Sequence, residues 1–390
     1  MQSDKQKNWI VCLGGEDWWY HSHAHFDIQI MKSLSERISV LYVCSIGMRM
    51  PSIRRDKMFW LRIKRKVGSV SKVLQKVKPH FYVYSPLPLP FYQNQWGRAL
   101  NTMVLRIQLF AVYKRLGIST PLVWVNTPTA WPVLENRPRR GLVYQRTDDY
   151  AAYDFDNFNA DYVRLVDDRL LRAADLVIHV SDELHHEASK ITSHSLLLPQ
   201  GVDERFFNFN GLPPVDLSMI ARPIIGYVGG MDSHKFDTPL VAAVIRELPD
   251  CSFVFVGTPH PNVDELHDLP NVHFLGVKSH DEIPAYVHNF DVCMLPTAQT
   301  AWGLKCRPIK LMEYLAAAKP VVATPTPASA GFAENVYIAG NASSWVEAIR
   351  RILAADKGAI ASTLSPATQL KPWSVLADQI WHNLQDKKFI

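Results

Sequence analysis

The chain has 390 residues, 47% of them hydrophobic and 20% charged. That is room for two or three domains at roughly 150 residues each, and it excludes both intrinsic disorder and a disulfide-stapled mini-protein. Net charge is only +5, and no apolar run, Val104–Tyr113 included, approaches the roughly 18 to 20 residues of a membrane-spanning helix.

Five cysteines, Cys12, Cys44, Cys251, Cys293 and Cys306, show no CxxC spacing and read as buried thiols of a reducing compartment. The short apolar amino terminus lacks the form of a secretory signal, which points to a cytoplasmic protein. Trp9-Ile-Val-Cys-Leu-Gly-Gly15 is a buried strand ending in a glycine pair. The stretch after it carries His21, His23 and His25 at alternate positions. A metal reading is set aside, because a stretch running from loop into helix does not keep alternate side chains on one face. Glu16, Asp17 and His25 read instead as a subsite for acceptor hydroxyls, or as a helix-start cluster. A helix is predicted near Phe26–Glu36 and a strand at Ile38–Cys44. The segment Arg49–Lys78 then holds eleven Lys or Arg against the single acid Asp56. Interleaved with Met58, Phe59, Trp60 and Leu61, it predicts a basic helix that lies on an anionic membrane surface. A solvated helix face is the alternative, and nucleic acid is disfavoured. Strands follow at Phe81–Tyr84, Leu122–Asn126, Gly141–Gln145, Leu176–Val180 and Ser195–Leu198.

Ile224-Ile-Gly-Tyr-Val-Gly-Gly230 repeats the opening pattern and reads as the first strand of a second α/β domain. Strands at Ser252–Val256, Val272–Leu275, Val292–Leu295 and Pro320–Ala323 alternate with helices near Pro239–Glu247, Ile283–His288 and Pro308–Ala317. Such alternation implies parallel sheets with helices on both faces. The expected organisation is a Rossmann-like domain over 1–205, a linker at 206–221, a second Rossmann-like domain over 222–372, and a helix within 373–390 that returns toward the first.

Five motifs in order, AADLVIHVSDEL, LLLPQGVDERFF, IIGYVGGMDSHKFD, LPNVHFLGVKSHDEIPAYVHNFDVCMLP and RPIKLMEYLAAAKPVVAT, resemble the group 1 glycosyltransferases of the GT-B fold, family 4 among them. The resemblance runs from about Ala173 to Ala323. It implies two Rossmann-like domains facing each other across a cleft, with acceptor bound by the first and nucleotide sugar by the second. In Arg307-Pro308-Ile309-Lys310-Leu311-Met312-Glu313 the proline suits the first helical position, so a helix amino end and a lysine can meet one anion. Glu313 shares a helix face with Lys310 and can accept from ribose hydroxyls; a plain i, i+3 ion pair is the alternative.

The resemblance also implies close backbone approach at Gly229 and Gly230, a phosphate contact from Lys235, and a base site near Gly257 and Val277. Two departures stand out. Gly230 occupies a position where family 4 commonly has arginine, so one of the usual two cations is missing, whether or not Arg307 replaces it. The first acid of a Glu-x7-Glu motif is replaced by Lys305. The second departure places the chain nearer the teichuronic-acid-type and xanthan glucuronosyltransferase-type subgroup. There an aspartate after a Val-Tyr strand is the base, and Asp148 is the positional match, with Asp149 its competitor. An N-cap role for this pair is the structural alternative. Asp148 serves as base in an inverting transfer or only orients the acceptor in a retaining one. The expected activity is metal-independent transfer, without cofactor, from a UDP-linked donor sugar to a glycan or lipid-linked acceptor in cell-surface polysaccharide synthesis. The site would be the inner face of the plasma membrane. A catalytically silent nucleotide-sugar-binding or scaffold subunit and a nucleotide-sugar epimerase are the alternatives.

Overall fold

The computed structural model describes residues 8–20, 23–46, 59–89, 94–150, 159–233, 235–300, 303–304, 308–355 and 370–390. It forms two compact units, Met1–Pro199 with Trp373–Ile390, and Gln200–Pro372.

The first unit runs β1 (Trp9–Leu13), α1 (Phe26–Leu34), β2 (Ser39–Val43), α2 (Phe59–Val70), β3 (Leu74–Lys78), β4 (Phe81–Tyr84) and α3 (Gln95–Leu116). It continues through β5 (Leu122–Val125), β6 (Gly141–Arg146), α4 (Ala160–Ala173), β7 (Leu176–His179), α5 (Asp182–Ser189) and β8 (Ser195–Leu197). The strands are runs such as WIVCL and LVWV, buried on both faces, as a parallel sheet covered by helices requires. The sheet order is β3-β4-β2-β1-β5-β6-β7-β8, parallel except at β3. The chain reverses direction between β1 and β5, and the carboxyl ends of strands at such a switch point are where open α/β sheets bind ligands.

The basic segment is not one continuous helix. Residues 47–58 lie outside the described residues; α2 occupies Phe59–Val70, and Leu74–Lys78 pairs antiparallel with β4 at the sheet edge. Val73, at a φ of 49°, makes the turn between them, and the lysines of β3 keep an exposed edge from pairing further. On one sheet face, α1 packs with Trp373, Leu376, Ile380 and Leu384 of the carboxyl-terminal helix. On the other, Leu105, Leu109 and Val112 of α3 meet Val166 and Leu170 of α4 around Trp131 and Tyr144.

The second unit runs α6 (Glu204–Phe207), α7 (Val215–Ser218), β9 (Ile224–Val228), α8 (Thr238–Glu247), β10 (Ser252–Val256), β11 (Val272–Gly276), α9 (Ile283–Asn289) and β12 (Val292–Leu295). It ends with α10 (Ile309–Ala316), β13 (Val321–Ala323), α11 (Pro327–Ala330), β14 (Val336–Ile338) and α12 (Ala342–Ala354). Its all-parallel sheet has the order β11-β10-β9-β12-β13-β14, with the switch between β9 and β12. The segment 206–221 is not a free linker here. Phe206 and Leu217 are buried in the core of this unit, and Asp216 accepts from Lys278 Nζ at 2.6 Å and from Tyr286 Oη at 2.8 Å. A glycine and two prolines mark its turns without freeing it from the fold. The helix α13 (Trp373–Asp386) packs on α1 of the first unit, with Phe26 and Trp373 edge to face at 5.2 Å. The four described cysteines, Cys12, Cys44, Cys251 and Cys293, are buried and free.

Candidate functional site

In the second unit, β9 and β10 are followed directly by Gly229 and Gly257, and β11 ends on Gly276. Their amides continue the sheet, Gly229 N to Val256 O at 2.8 Å and Gly257 N to Gly276 O at 2.8 Å. Gly229 and Gly257 have φ of 135° and 149°, a region open to glycine and strained for other residues. A Cβ on Gly257 would stand 2.1 Å from Gly229 O, and one on Gly229 would stand 2.4 Å from Lys310 Nζ. The ammonium of Lys310 therefore lies against the bare backbone at the end of β9. It donates to Tyr227 Oη at 2.7 Å and lies 4.2 Å from the centroid of that ring. Tyr227 Oη in turn donates to Gly230 O at 2.8 Å, which fixes the turn after the strand. Tyr314, one helical turn beyond Lys310, accepts from Val228 N at 2.8 Å. Both side chains tie α10 to β9. Pro308 is the N-cap of α10 rather than its first residue, so Lys310 is the second helical residue and its charge sits at the amino end of the helix.

Lys310 and Glu313 do not pair with each other. Glu313 is 6% exposed and lies 3.3 Å from His280 Nε2. His280 Nδ1 is 4.0 Å from Asp203 Oδ2, and Asp203 accepts from Arg205 Nη2 at 2.6 Å. Burial alone would raise the Asp203 carboxyl; its hydrogen bonds from Arg205 outweigh this and hold it below its ordinary value. His280 and Asp203 were not singled out from the sequence, although Asp203 lies in the quoted LLLPQGVDERFF motif. Lys235 is half exposed and faces Asp232 Oδ2 at 3.7 Å, a neutralising partner the sequence reading also missed. Its turn is pinned beside the end of β12 by Asp237 N to Pro296 O at 3.0 Å. Gly230 has room, since an added Cβ would meet only Asp232 Oδ2 at 3.7 Å. Val277 follows Gly276 and is 69% exposed. Arg307 and Lys305 lie outside the described residues.

In the first unit the polar groups gather where β1, β5 and β6 end. Asp27, fully buried in the first turn of α1, accepts from Gly15 N at 3.0 Å and Tyr42 Oη at 2.9 Å. Tyr150 Oη donates to Asn126 Oδ1 at 2.7 Å and meets Thr147 Oγ1 at 3.0 Å. Burial first, then the negative charge of Asp148, raises the Tyr150 phenol well above its usual range, so it remains a donor. The charge of Asp148, just past the end of β6, therefore acts on this cluster. The charge of Asp149 acts instead on Arg146 and Asp167; buried Arg146 lies 3.3 Å from both Asp167 Oδ2 and the exposed Glu187 Oε2. The N-cap of α4 is Asn159, which accepts from Tyr162 N at 2.9 Å. Glu16 and His25 come within 3.9 Å of each other. Asp17 is 9% exposed and accepts from Trp19 N at 3.1 Å, which ties its own turn. His21 lies outside the described residues; His23 turns to Trp18 O at 2.9 Å and Lys32 Nζ at 3.0 Å. Among the described residues no group of three or more His, Cys, Asp and Glu side chains is placed to hold a metal ion.

Residues 222–355, all within the second unit, match the family model described as glycosyl transferases group 1. A protein of Bacillus subtilis (strain 168) named as a teichuronic acid biosynthesis glycosyltransferase, TuaH, is 30% identical over 182 residues, 44% of this chain and 46% of that protein. The aligned part is thus less than half of that relative's length. Sucrose-phosphate synthase from Thermosynechococcus elongatus superposes with a TM-score of 0.70 at 17% identity, covering 97% of this chain and 98% of that one. HepE of Anabaena, solved in complex with UDP-glucose, gives 0.64 at 17% identity, covering 97% and 99%. The chain has the GT-B fold of these glycosyltransferases.

Proposed function

We propose that this chain is a glycosyltransferase that takes its sugar from a UDP-linked donor and passes it to a glycan or lipid-linked acceptor in cell-surface polysaccharide synthesis. Lys310 holds the diphosphate at the end of β9, with Lys235 as a second, partly neutralised cation. Gly257 and Val277 receive the base, and Glu313 accepts from the ribose hydroxyls. In transfer the acceptor oxygen bonds the anomeric carbon. The bond from that carbon to the phosphate oxygen breaks, and its electron pair leaves with UDP. Lys310 stabilises the charge that develops there, without a metal. Asp148 takes the acceptor proton in an inverting transfer, or orients the hydroxyl in a retaining one. The basic segment Arg49–Lys78 brings the chain to an anionic membrane face. The UDP-glucose complex of HepE and the pathway named for TuaH support the donor and the acceptor class.

One observation carries this reading: the Lys310 ammonium lies against Gly229, where an anion can meet both a cation and bare backbone. Melting curves with UDP test it. UDP should raise the melting temperature, and Lys310→Ala should weaken UDP binding by roughly tenfold to a hundredfold, since a charge-assisted hydrogen bond contributes about 1.5–3 kcal/mol. An equal UDP effect on both proteins would refute it.

A further inference from the structure

α3 is apolar on two opposite faces. Leu105, Leu109 and Val112 enter the core, whereas Trp96, Leu100, Met103, Ile107 and Phe110 are 78%, 44%, 54%, 61% and 59% exposed. The second set recurs at i, i+4, i+7, i+11 and i+14, which places it on one stripe of the helix, about 20 Å long. Leu87, 55% exposed, sits on the adjoining loop, whose backbone is clamped at both N and O by Gln108 at 2.9 Å. Scattered apolar side chains on a surface need no explanation; an aligned set exposing on the order of 500 Å² does.

Charge indicates what covers the stripe. α3 contains no Asp or Glu, and Lys114 and Arg115 stand in its last turn. Arg137 lies over the Phe110 ring at 5.9 Å. Beside the stripe, Phe110, Tyr113 and Arg137 help line a small open hollow of about 30 Å³, while Arg106 on its wall donates to Val133 O at 3.2 Å and Pro132 O at 2.6 Å. Buried Tyr113 Oη has no hydrogen-bond partner there among the described residues. A second copy docked through this face would set cation against cation. An anionic bilayer offers hydrocarbon to the stripe and phosphates to the arginines.

We propose that α3 is an interfacial helix that lays this stripe on an anionic lipid surface, with Arg137 at its edge meeting the headgroup phosphates. This sharpens the membrane reading given for Arg49–Lys78 by assigning the apolar contact to a different element.

The full-length chain should float with phosphatidylcholine vesicles containing phosphatidylglycerol, and far less with phosphatidylcholine alone. Met103→Ser with Ile107→Ser should lower the partition coefficient about tenfold or more. Its melting temperature and its UDP-induced shift should stay unchanged. Leu212→Ser with Met219→Ser, more exposed still in the other unit, should bind as the parent does. Arg137→Gln should weaken binding only where phosphatidylglycerol is present. The proposal is overturned if the α3 variant floats normally, if the Leu212 and Met219 variant is equally impaired, or if the α3 change merely dissociates a dimer. Neutralising Lys64 and Arg65 supplies the separate arm. If that abolishes flotation while the α3 variant floats normally, the basic segment binds the membrane and α3 does not.

Discussion

The two sheets share one winding, with a reversal beside the first strand of each, yet their carboxyl edges are chemically opposite. The edge of β1, β5 and β6 collects carboxylates, phenols and an amide: Asp27, Tyr42, Asn126, Tyr150 and Asp148. The edge of β9, β10 and β11 is nearly bare, ending in glycines with one lysine laid across the first. Each edge also has a cation near it, differently used. Arg146 is buried between Asp167 and Glu187, whereas Lys310 donates to the phenol of Tyr227. A hydroxyl substrate needs acceptors and a base; a diphosphate needs donors and positive charge. Under the proposed function, the same backbone arrangement would be fitted to two partners by which side chains end its strands.

The largest test of this contrast is Asp148→Asn. If the first edge supplies the base, turnover should fall by about 10² to 10⁴ while UDP binding holds. A fall of less than about tenfold would leave Asp148 only an orienting role. Asp149→Asn should instead disturb the Arg146 group and show mainly in the melting temperature.

A smaller effect is expected at His280, which positions Glu313 rather than touching the reacting atoms. Removing the imidazole in His280→Ala leaves a buried carboxylate short of a partner, at a cost of about 1–3 kcal/mol. A structural role alone would stop there. If Glu313 meets the ribose, the preference for UDP over 2′-deoxy-UDP should also shrink a few-fold. An unchanged preference would detach Glu313 from the nucleotide.

Most strands of both edges were readable because buried parallel strands are unbroken apolar runs punctuated by glycine, as in Ile224–Gly230. α3 was not, because apolar faces on opposite sides blur a 3.6-residue period. α12 carried a signal that was missed: Asn341 and Ser344 form a capping box. Lys310 and Glu313 were legible as neighbours on one helix. Their actual partners, Tyr227 and His280, lie 83 and 33 residues away, brought in by strand order rather than by any local pattern. Asp27 was hidden for the same reason, since its bond to Tyr42 depends on β1 lying beside β2.

The smallest effect probes whether Arg146 is committed to the interior of the first unit. His179 pairs with Arg146 across β6 and β7, is fully buried, and has neither ring nitrogen hydrogen-bonded among the described residues. Burial first, then the charges of Arg146 and His185, push its pKa down to about 3. An unfolded histidine titrates near 6.5. Between those values the unfolded chain binds the extra proton, so stability falls as the pH drops from about 6.5 toward 3. The slope from this group is at most about 1.4 kcal/mol per pH unit. Above pH 6.5 the group contributes no slope. His179→Leu should therefore flatten the acid limb of the melting temperature relative to the parent protein, since every other titrating group is shared. Parallel acid limbs would mean that His179 takes up its proton in the folded state too, and that the charge of Arg146 does not reach it.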